Sequence, residues 1–136
     1  IRTPEISQKA SLISAHAIVR DMLLDMQREI AQQYDVIMDG RDIGTVVLPK
    51  ATVKFFLTAS PEVRAKRRTK ELLEKGQKAD YEKILKDIQQ RDYQDTHREV
   101  APLKMTRDSV KLDTSDMTID EVIAAMKETI AKKVAP

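Results

Sequence analysis

The sequence contains no cysteine, only five aromatic residues and only two histidines. The absence of cysteine excludes disulfide bonds, thiolate catalysis and cysteine-ligated zinc. So few aromatic side chains argue against a protein that stacks the bases of single-stranded nucleic acid. His16 and His97 are too isolated to indicate a metal site. Cysteine chemistry, base stacking and a histidine-ligated metal site are therefore set aside.

The sequence also lacks an excess of charge of one sign. It has 24 basic and 22 acidic residues, a net charge of +2, so it has no overall attraction to nucleic acid or membranes and local clusters must carry any anion binding. No apolar run is long enough to span a bilayer and no signal-peptide pattern opens the chain, so we expect a cytoplasmic protein. The first residue is Ile1 rather than methionine, which favours a fragment or a processed product.

The apolar pattern of the 136 residues predicts one α/β domain. Short strands alternate with longer helical stretches, which is typical of a parallel sheet flanked by helices. Ser60 and Asp80 are good helix caps, and Gly76 is a helix end. The predicted helices are 5–33, 61–75, 81–98 and 118–133, and the predicted strands are Val36–Met38, Val53–Thr58 and Val110–Asp113.

The helix over 81–98 has an apolar stripe that changes into charge without leaving its face. Arg91, Asp95 and Arg98 continue this stripe, because steps of three and four residues keep side chains on one side of a helix. Charged groups on an inward face are costly unless something pairs with them, and two arginines around a carboxylate can bind phosphate. The alternative is a helix end that extends into solvent with ordinary ion pairs. Spacing alone leaves both interpretations open.

Asp39, Gly40, Arg41 and Asp42 follow the first predicted strand. In open α/β sheets, ligands bind outside the carboxyl ends of the strands, so these residues are expected to face a cleft. Asp39 could hold Mg²⁺ through water, Arg41 could meet phosphate, and Asp42 could accept hydrogen bonds from an amino or hydroxyl group. The alternative is a simple β-turn, for which Asp-Gly is also typical.

A second basic cluster lies on the helix that begins at Pro61. Arg64, Arg67 and Arg68 have offsets of zero, three and four residues and share one face. A solvated face or a generic nucleic-acid patch explains most such charge runs.

Taken together, these segments resemble bacterial cytidylate kinase, a nucleoside monophosphate kinase of the P-loop class. The resemblance covers almost the whole chain and is carried by Ile1–Glu5, Asp39–Val47, Val53–Leu57, Arg91–Arg98, Val100–Leu103, Asp113–Ser115 and Ile119–Val122.

The resemblance implies transfer of the γ-phosphoryl group of ATP to CMP or dCMP, with magnesium. It implies that Ser11, Arg20 and Asp42 contact cytosine, and that a site built around the exocyclic amine rejects bases lacking it. Three arginines are implied as ligands of the acceptor phosphate or of the transferring group, with Asp95 as a sugar contact that orients them. These three arginines are Arg41, Arg91 and Arg98. Arg64, Arg67 and Arg68 fall in the segment that forms the family's lid over ATP.

The sequence departs from the family pattern because it contains no Gly-x-x-x-x-Gly-Lys-[Ser/Thr] motif. The family carries this phosphate cradle on a central strand that lies between the strands corresponding to Val36–Asp39 and Val53–Thr58. We therefore expect an incomplete sheet and a C-terminal portion of a cytidylate kinase that does not catalyse alone. Within it, 1–34 is expected to end the CMP-binding region, 35–60 to hold core strands, 61–80 to form the lid, and 81–136 to supply core helices and the last strand.

A second departure concerns the spacing of Ser11 and Arg20. Nine residues on one straight helix place two side chains on opposite faces, at about 100° per residue. Both residues can face one cytosine only if the helix breaks, and we predict a break near Ser14–Ala17.

Three alternatives to a cytidylate kinase stay open at this level. One is a kinase for UMP or AMP, another is a non-catalytic domain that binds nucleic acid or other anions, and the third is a structural fragment. The preferred interpretation implies small nucleotides as the partners (CMP, dCMP and ATP), no nucleic acid, no membrane, and a monomer as the intact enzyme.

Overall fold

The computed structural model describes residues 4–14 and 16–134, and the side chains of residues 4, 5, 7, 8 and 11 lie outside that description. Helix α1 (Pro4–Ile13) and helix α2 (Ala17–Gln33) replace the single helix expected over 5–33. The predicted break is therefore confirmed. Ser14 forms a turn and His16 has extended backbone angles that begin α2.

Two short parallel strands form the described sheet. Strand β1 (Phe55–Thr58) pairs with β2 (Val110–Asp113) in the register Phe55 to Val110. Both strands were expected from their β-branched and aromatic residues, with β1 starting two residues later than predicted. The backbone contacts continue beyond both ends, from the Val110 amide to the Lys54 carbonyl and from the Thr114 amide to the Thr58 carbonyl.

Two helices form the connection between these strands. Helix α3 (Pro61–Glu74) begins after Ser60, whose hydroxyl accepts a hydrogen bond from the Val63 amide. It ends shortly before Gly76, which has a φ of +70°. Helix α4 (Tyr81–His97) begins at Asp80, whose carboxylate accepts from the Lys83 amide. Both predicted caps are confirmed. Helix α3 packs on α4, and helix α5 (Ile119–Val134) follows β2.

The strand predicted over Val36–Met38 was wrong. Residues 35–39 have no regular secondary structure, and Ile37 is 99% exposed. An apolar run becomes a buried strand only when another strand satisfies its backbone groups. The described sheet places β1 and β2 beside each other and nothing beside Val36–Met38.

The segment after this run forms an uncommon local structure. A single π-helical turn (Ile43–Val47), here called the π turn, occupies part of the expected loop. The amides of Thr45, Val46 and Val47 all donate to the Asp42 carbonyl, at 3.3, 2.8 and 3.2 Å. Such turns occur frequently at functional sites.

The described part of the chain has a small core. Val47, Ala59 and Ala65 are its buried apolar residues, and no large side chain there is fully buried. Many large apolar side chains are instead exposed, including Ile18 and Ile119, both 79% exposed. Among the described helices, none combines the length and the apolarity that crossing a membrane would need.

Candidate functional site

A cleft of about 490 Å³ opens between α2, the segment 39–47, the end of α4 and the loop after it. The helix break directs α2 across the cleft, and the π turn brings the residues before it to the opposite wall. The polar predicted residues that line this cleft are Arg20, Asp39, Arg41, Asp42, Arg91, Asp95 and Arg98. Seven predicted site residues from three separate segments therefore meet in one place.

Asp95 is the centre of one end of this cleft. Its carboxylate accepts from Arg41 Nε at 2.8 Å, and Arg91 Nε lies 4.0 Å from the same oxygen. Asp95 is only 7% exposed, whereas the side chains of Arg41 and Arg91 are 43% and 49% exposed. A buried carboxylate that holds two exposed guanidinium groups is a positioning arrangement, so the end of α4 is not a solvated helix end with ordinary ion pairs.

Arg98 lies beside this group and contacts a backbone carbonyl rather than a carboxylate. Its Nε and one terminal nitrogen donate to the Ala101 oxygen at 2.8 and 2.5 Å. Ala101 has a φ of +50°, which an alanine adopts only when its surroundings impose it. The Leu103 amide donates to the Asp95 carbonyl at 2.7 Å and closes this loop onto α4. The contact with the Ala101 carbonyl therefore fixes the direction of the Arg98 side chain but does not neutralise its positive charge.

The other end of the cleft holds an ion pair between Arg20 and Asp42. The Arg20 guanidinium donates to the Asp42 carboxylate, and it also donates to the Ser14 carbonyl at 3.2 Å. The helix break supplies that carbonyl, so the break positions Arg20. The side chains of Arg20 and Asp42 are 18% and 13% exposed, so a ligand would meet a preformed and largely desolvated pair.

The charges of the cleft are balanced in number but unevenly paired. Its lining includes four arginines and four aspartates, so its formal net charge is zero. Asp42 is neutralised by Arg20, whereas Asp95 alone serves both Arg41 and Arg91. The region around Asp95 therefore has a local positive excess, which fits an anion there rather than along the whole cleft.

Asp39 and Gly40 lead into the π turn at the cleft wall. A side chain at Gly40 would place its Cβ 2.8 Å from Ile43 Cγ1, so any other residue requires the Ile43 side chain to shift. Asp39 is exposed and lines the cleft. No group of three or more His, Asp or Glu side chains suited to a metal occurs among the described residues. A single carboxylate fits Mg²⁺, which keeps several waters and binds substrate phosphates.

Arg64, Arg67 and Arg68, the α3 arginines, lie outside this cleft lining. Arg64 donates to both Asp92 oxygens, at 2.9 and 2.5 Å, which raises the pKa of its guanidinium. Arg67 donates to the Thr114 carbonyl at 2.5 Å and to the Met117 carbonyl at 3.2 Å. Arg68 pairs at 2.7 Å with Glu71, whose pKa is lowered to about 2, first by Lys75 and then by Arg68.

The side chain of Ser11 lies outside the described residues, so its predicted contact with cytosine stays a prediction. Its backbone belongs to α1. The segment Ile1–Glu5, which carries part of the resemblance, also falls largely outside the description.

Sequence reasoning missed two residues that support the site from outside. Arg28 donates to the Val47 carbonyl at 3.1 Å and to the Val46 carbonyl at 2.9 Å, which ties α2 to the π turn. Lys54 is 8% exposed and donates to Pro49 O at 2.5 Å and to Asp108 at 2.7 Å. Both are ordinary charged residues in the sequence, and no spacing marked them. The odd position of Lys54 in an apolar strand was the one available signal.

Comparisons with known proteins identify the family of this chain. The family model described as cytidylate kinase matches residues 1–132. A cytidylate kinase of Lactobacillus gasseri is 53% identical over 133 residues, covering 98% of this chain and 58% of the relative. Cytidylate kinases of Clostridium tetani and Enterococcus faecalis are each 50% identical, covering 96% and 98% of this chain and 58% and 59% of the relatives.

The chain therefore belongs to the cytidylate kinase family, a family of nucleoside monophosphate kinases. The predicted family is confirmed. The chain spans about three fifths of the length of the curated relatives that it matches.

Proposed function

We propose that this chain forms the acceptor side of an enzyme that transfers the γ-phosphoryl group of ATP to CMP or dCMP. The observation that carries the proposal is the cleft itself, with three arginines around the buried Asp95 at one end and the Arg20–Asp42 pair at the other. Membership of the cytidylate kinase family supports the same reaction. A nucleoside monophosphate has this polarity, since its phosphate is anionic and its base is neutral with directed hydrogen-bond groups.

The phosphate of CMP binds between Arg41, Arg91 and Arg98. Arg41 and Arg91 already share Asp95, so each has unused donors. Arg98 donates to a neutral carbonyl and exchanges that contact for a phosphate oxygen, because an anionic acceptor adds a charge attraction and accepts two parallel hydrogen bonds from a guanidinium group. Asp95 contacts the sugar and keeps the arginines aligned.

The cytosine base binds at the Arg20–Asp42 end. The Asp42 carboxylate accepts from the exocyclic amine of the base, and Arg20 donates to the base's acceptor atoms. Uracil presents a carbonyl where cytosine presents the amine, so Asp42 would receive no hydrogen bond from the base and its carboxylate would face another acceptor, with Arg20 as its remaining partner. Ser11 is proposed as a third contact with the base.

In the transfer step, a phosphate oxygen of CMP forms the new bond to the γ-phosphorus while the bond to the bridging oxygen of ADP breaks. Negative charge is spread over the transferring group, and catalysis consists mostly of positioning and neutralising it. Arg41 and Arg91 are held by Asp95 before the reaction, so they neutralise this charge with little reorganisation, and Arg98 joins them once it has left the Ala101 carbonyl.

Magnesium, when bound with ATP, neutralises the phosphates that flank the transferred group. Asp39 is the residue proposed to hold it, through water, because its carboxylate is exposed on the cleft wall. This single carboxylate fits a cation whose other ligands are water and phosphate.

The ATP side is assigned to the α3 arginines as a lid. Arg68 is the easiest of the three to redirect, because its partner Glu71 lies on its own exposed helix face. Arg64 must leave a bidentate contact with Asp92, and Arg67 must leave two backbone carbonyls. We propose that lid closure replaces these contacts with phosphate oxygens and excludes water.

The sheet is proposed to be completed by one more strand beside β1. The free edge of β1, the half-exposed Leu57 and the exposed run Val36–Met38 support this. The family resemblance implies a strand with the phosphate cradle at this edge, and we propose with it the division of the chain at residues 34, 60 and 80. We further propose that the intact enzyme is a cytoplasmic monomer whose partners are nucleotides.

The phosphate assignment is tested by ³¹P NMR of CMP titrated with the chain. The CMP phosphate resonance should shift and broaden with the wild-type chain and stay unchanged with Arg91→Ala. Arg107→Ala is the control, because Arg107 is exposed and loses the same charge outside the cleft. An unchanged resonance with the folded wild-type chain would contradict the proposal.

The 136 residues alone are proposed to bind CMP without phosphorylating it, since they carry no Gly-x-x-x-x-Gly-Lys-[Ser/Thr] cradle. Formation of CDP from MgATP and CMP by the purified chain would overturn this part.

A further inference from the structure

Two arginines of helix α2 contact the π turn, one at the residue that precedes the turn and one at the last residues of the turn. Arg20, near the start of α2, pairs with Asp42 immediately before the turn. Eight residues later, Arg28 donates through Nε and a terminal nitrogen to the carbonyls of Val47 and Val46. Arg28 does not line the cleft, so it has no direct route to a nucleotide bound there.

Backbone hydrogen bonds of the π turn link its far end to Asp42. Its amides at Thr45, Val46 and Val47 converge on one atom, the Asp42 carbonyl oxygen. Arg28 therefore binds the carbonyls of Val46 and Val47, the same two residues whose amides donate to the Asp42 carbonyl. The hydrogen bonds of the turn therefore link the carbonyls that Arg28 binds to the backbone of Asp42, whose side chain pairs with Arg20.

We infer that Arg28 is a positioning residue for the Arg20–Asp42 pair and thereby sets the discrimination between cytosine and uracil. This inference rests on the proposed function, since it concerns the base end of the same cleft. A guanidinium group suits the task, because its planar fork reaches two successive carbonyls at once. Its positive charge also lies at the carbonyl end of a helical turn, where a cation is favoured.

The first arm of the test uses no nucleotide. Amide hydrogen exchange is measured for Val46, whose amide donates to Asp42, and for Val110, whose amide donates to Lys54 in the sheet. Arg28→Gln should accelerate exchange at Val46 about tenfold, because a lost hydrogen bond to a charged group opens the turn more often. Exchange at Val110 should not change.

The second arm measures the affinities of CMP and UMP by calorimetry. Arg28→Gln should weaken CMP binding about tenfold and lower the ratio of CMP to UMP affinity about threefold, since small misplacements of polar groups are costly. Arg28→Lys should recover part of both losses. Arg107→Gln is the charge-matched control, an exposed residue for which the described part of the chain supplies no partner, and it should behave as the wild type.

The outcomes separate this inference from the proposed function. Unchanged exchange at Val46 in Arg28→Gln would overturn the inference. Faster exchange at Val46 with an unchanged CMP-to-UMP ratio would also overturn it, because Arg28 would then support the turn without positioning the base contacts. A wild-type chain that binds UMP as well as CMP would overturn the proposed function itself, and the assigned role of Arg28 with it.

Discussion

The cleft and helix α3 both carry clustered arginines, yet the two groups differ in what they contact. In the cleft, Arg41 and Arg91 share the single carboxylate of Asp95, and Arg98 contacts only a neutral carbonyl. On α3, Arg64 has a bidentate partner in Asp92 and Arg68 has Glu71. The cleft therefore keeps unpaired donors directed at a concave surface, whereas the α3 arginines use theirs within the fold.

This difference shows that the partners of the arginines, rather than their number, distinguish a ligand site from a structural cluster. In the sequence, the α3 arginines and the set Arg91, Asp95 and Arg98 both follow steps of helical spacing that keep side chains on one face. Only the tertiary contacts reveal which carboxylates are shared. The predictions below concern first the carboxylate of Asp95, which two arginines share, and then contacts that stabilise the fold.

The largest effect is expected for Asp95→Asn. This change removes negative charge beside the proposed phosphate, so a purely electrostatic role for Asp95 predicts tighter CMP binding. We expect the opposite, a loss of about a hundredfold, because Arg41 and Arg91 lose the group that aligns them. Calorimetric titration with CMP distinguishes the two signs. Unchanged or tighter binding would mean that Asp95 does not orient the arginines.

A smaller effect, on stability, is expected for Arg67→Met. Arg67 joins α3 to the backbone after β2 through Thr114 and Met117, so its loss should cost about 2 kcal/mol of the free energy of unfolding. Arg68→Met is the matched control and should cost less than about 0.5 kcal/mol, as an exposed pair on one helix. Urea unfolding measures both. Equal losses of stability in the two variants would contradict the distinction between Arg67, which is fixed by backbone contacts, and Arg68, whose side chain is easily redirected.

The smallest effect is expected for Asp108→Asn and depends on pH. The hydrogen bond from Lys54 lowers the pKa of Asp108 from 3.8 to about 2. A carboxyl whose pKa is depressed by folding stabilises the protein above its unfolded pKa, and that contribution is lost as the pH falls through the folded value. The stability difference between wild type and variant should therefore shrink by roughly half between pH 7 and pH 3.

Urea unfolding of both proteins at a series of pH values measures this difference. A difference that stays constant down to pH 3 would mean that the ion pair between Lys54 and Asp108 does not form in solution.

Local signals in the sequence predicted most of the fold. The caps at Ser60 and Asp80, the end at Gly76 and the strands β1 and β2 each depend on neighbouring residues, and the structure contains all of them. The break between α1 and α2 was predicted from the spacing of Ser11 and Arg20 together with the family resemblance. The strand at Val36–Met38 failed because strand formation depends on a partner, which no local pattern supplies.

The sequence predicted seven of the residues that the structure brings into one cleft, but not the contacts among them. The spacing of Arg91, Asp95 and Arg98 left a cleft and a solvated helix end equally open, and the buried Asp95 in the cleft lining favours the cleft. The contact of Arg98 with a strained Ala101, and the contact of Arg28 with the π turn, depend on loop conformations. Loop conformations of this kind carry no periodic signal, so the sequence did not reveal them.

The central claim is that the cleft binds CMP as the acceptor of a phosphoryl group. Its most direct test is a calorimetric titration of the chain with CMP, with AMP as the competing nucleotide and Arg98→Ala as the variant. The account predicts saturable binding that prefers CMP and is lost in Arg98→Ala. A folded wild-type chain that binds neither nucleotide, or binds AMP as well as CMP, would contradict it.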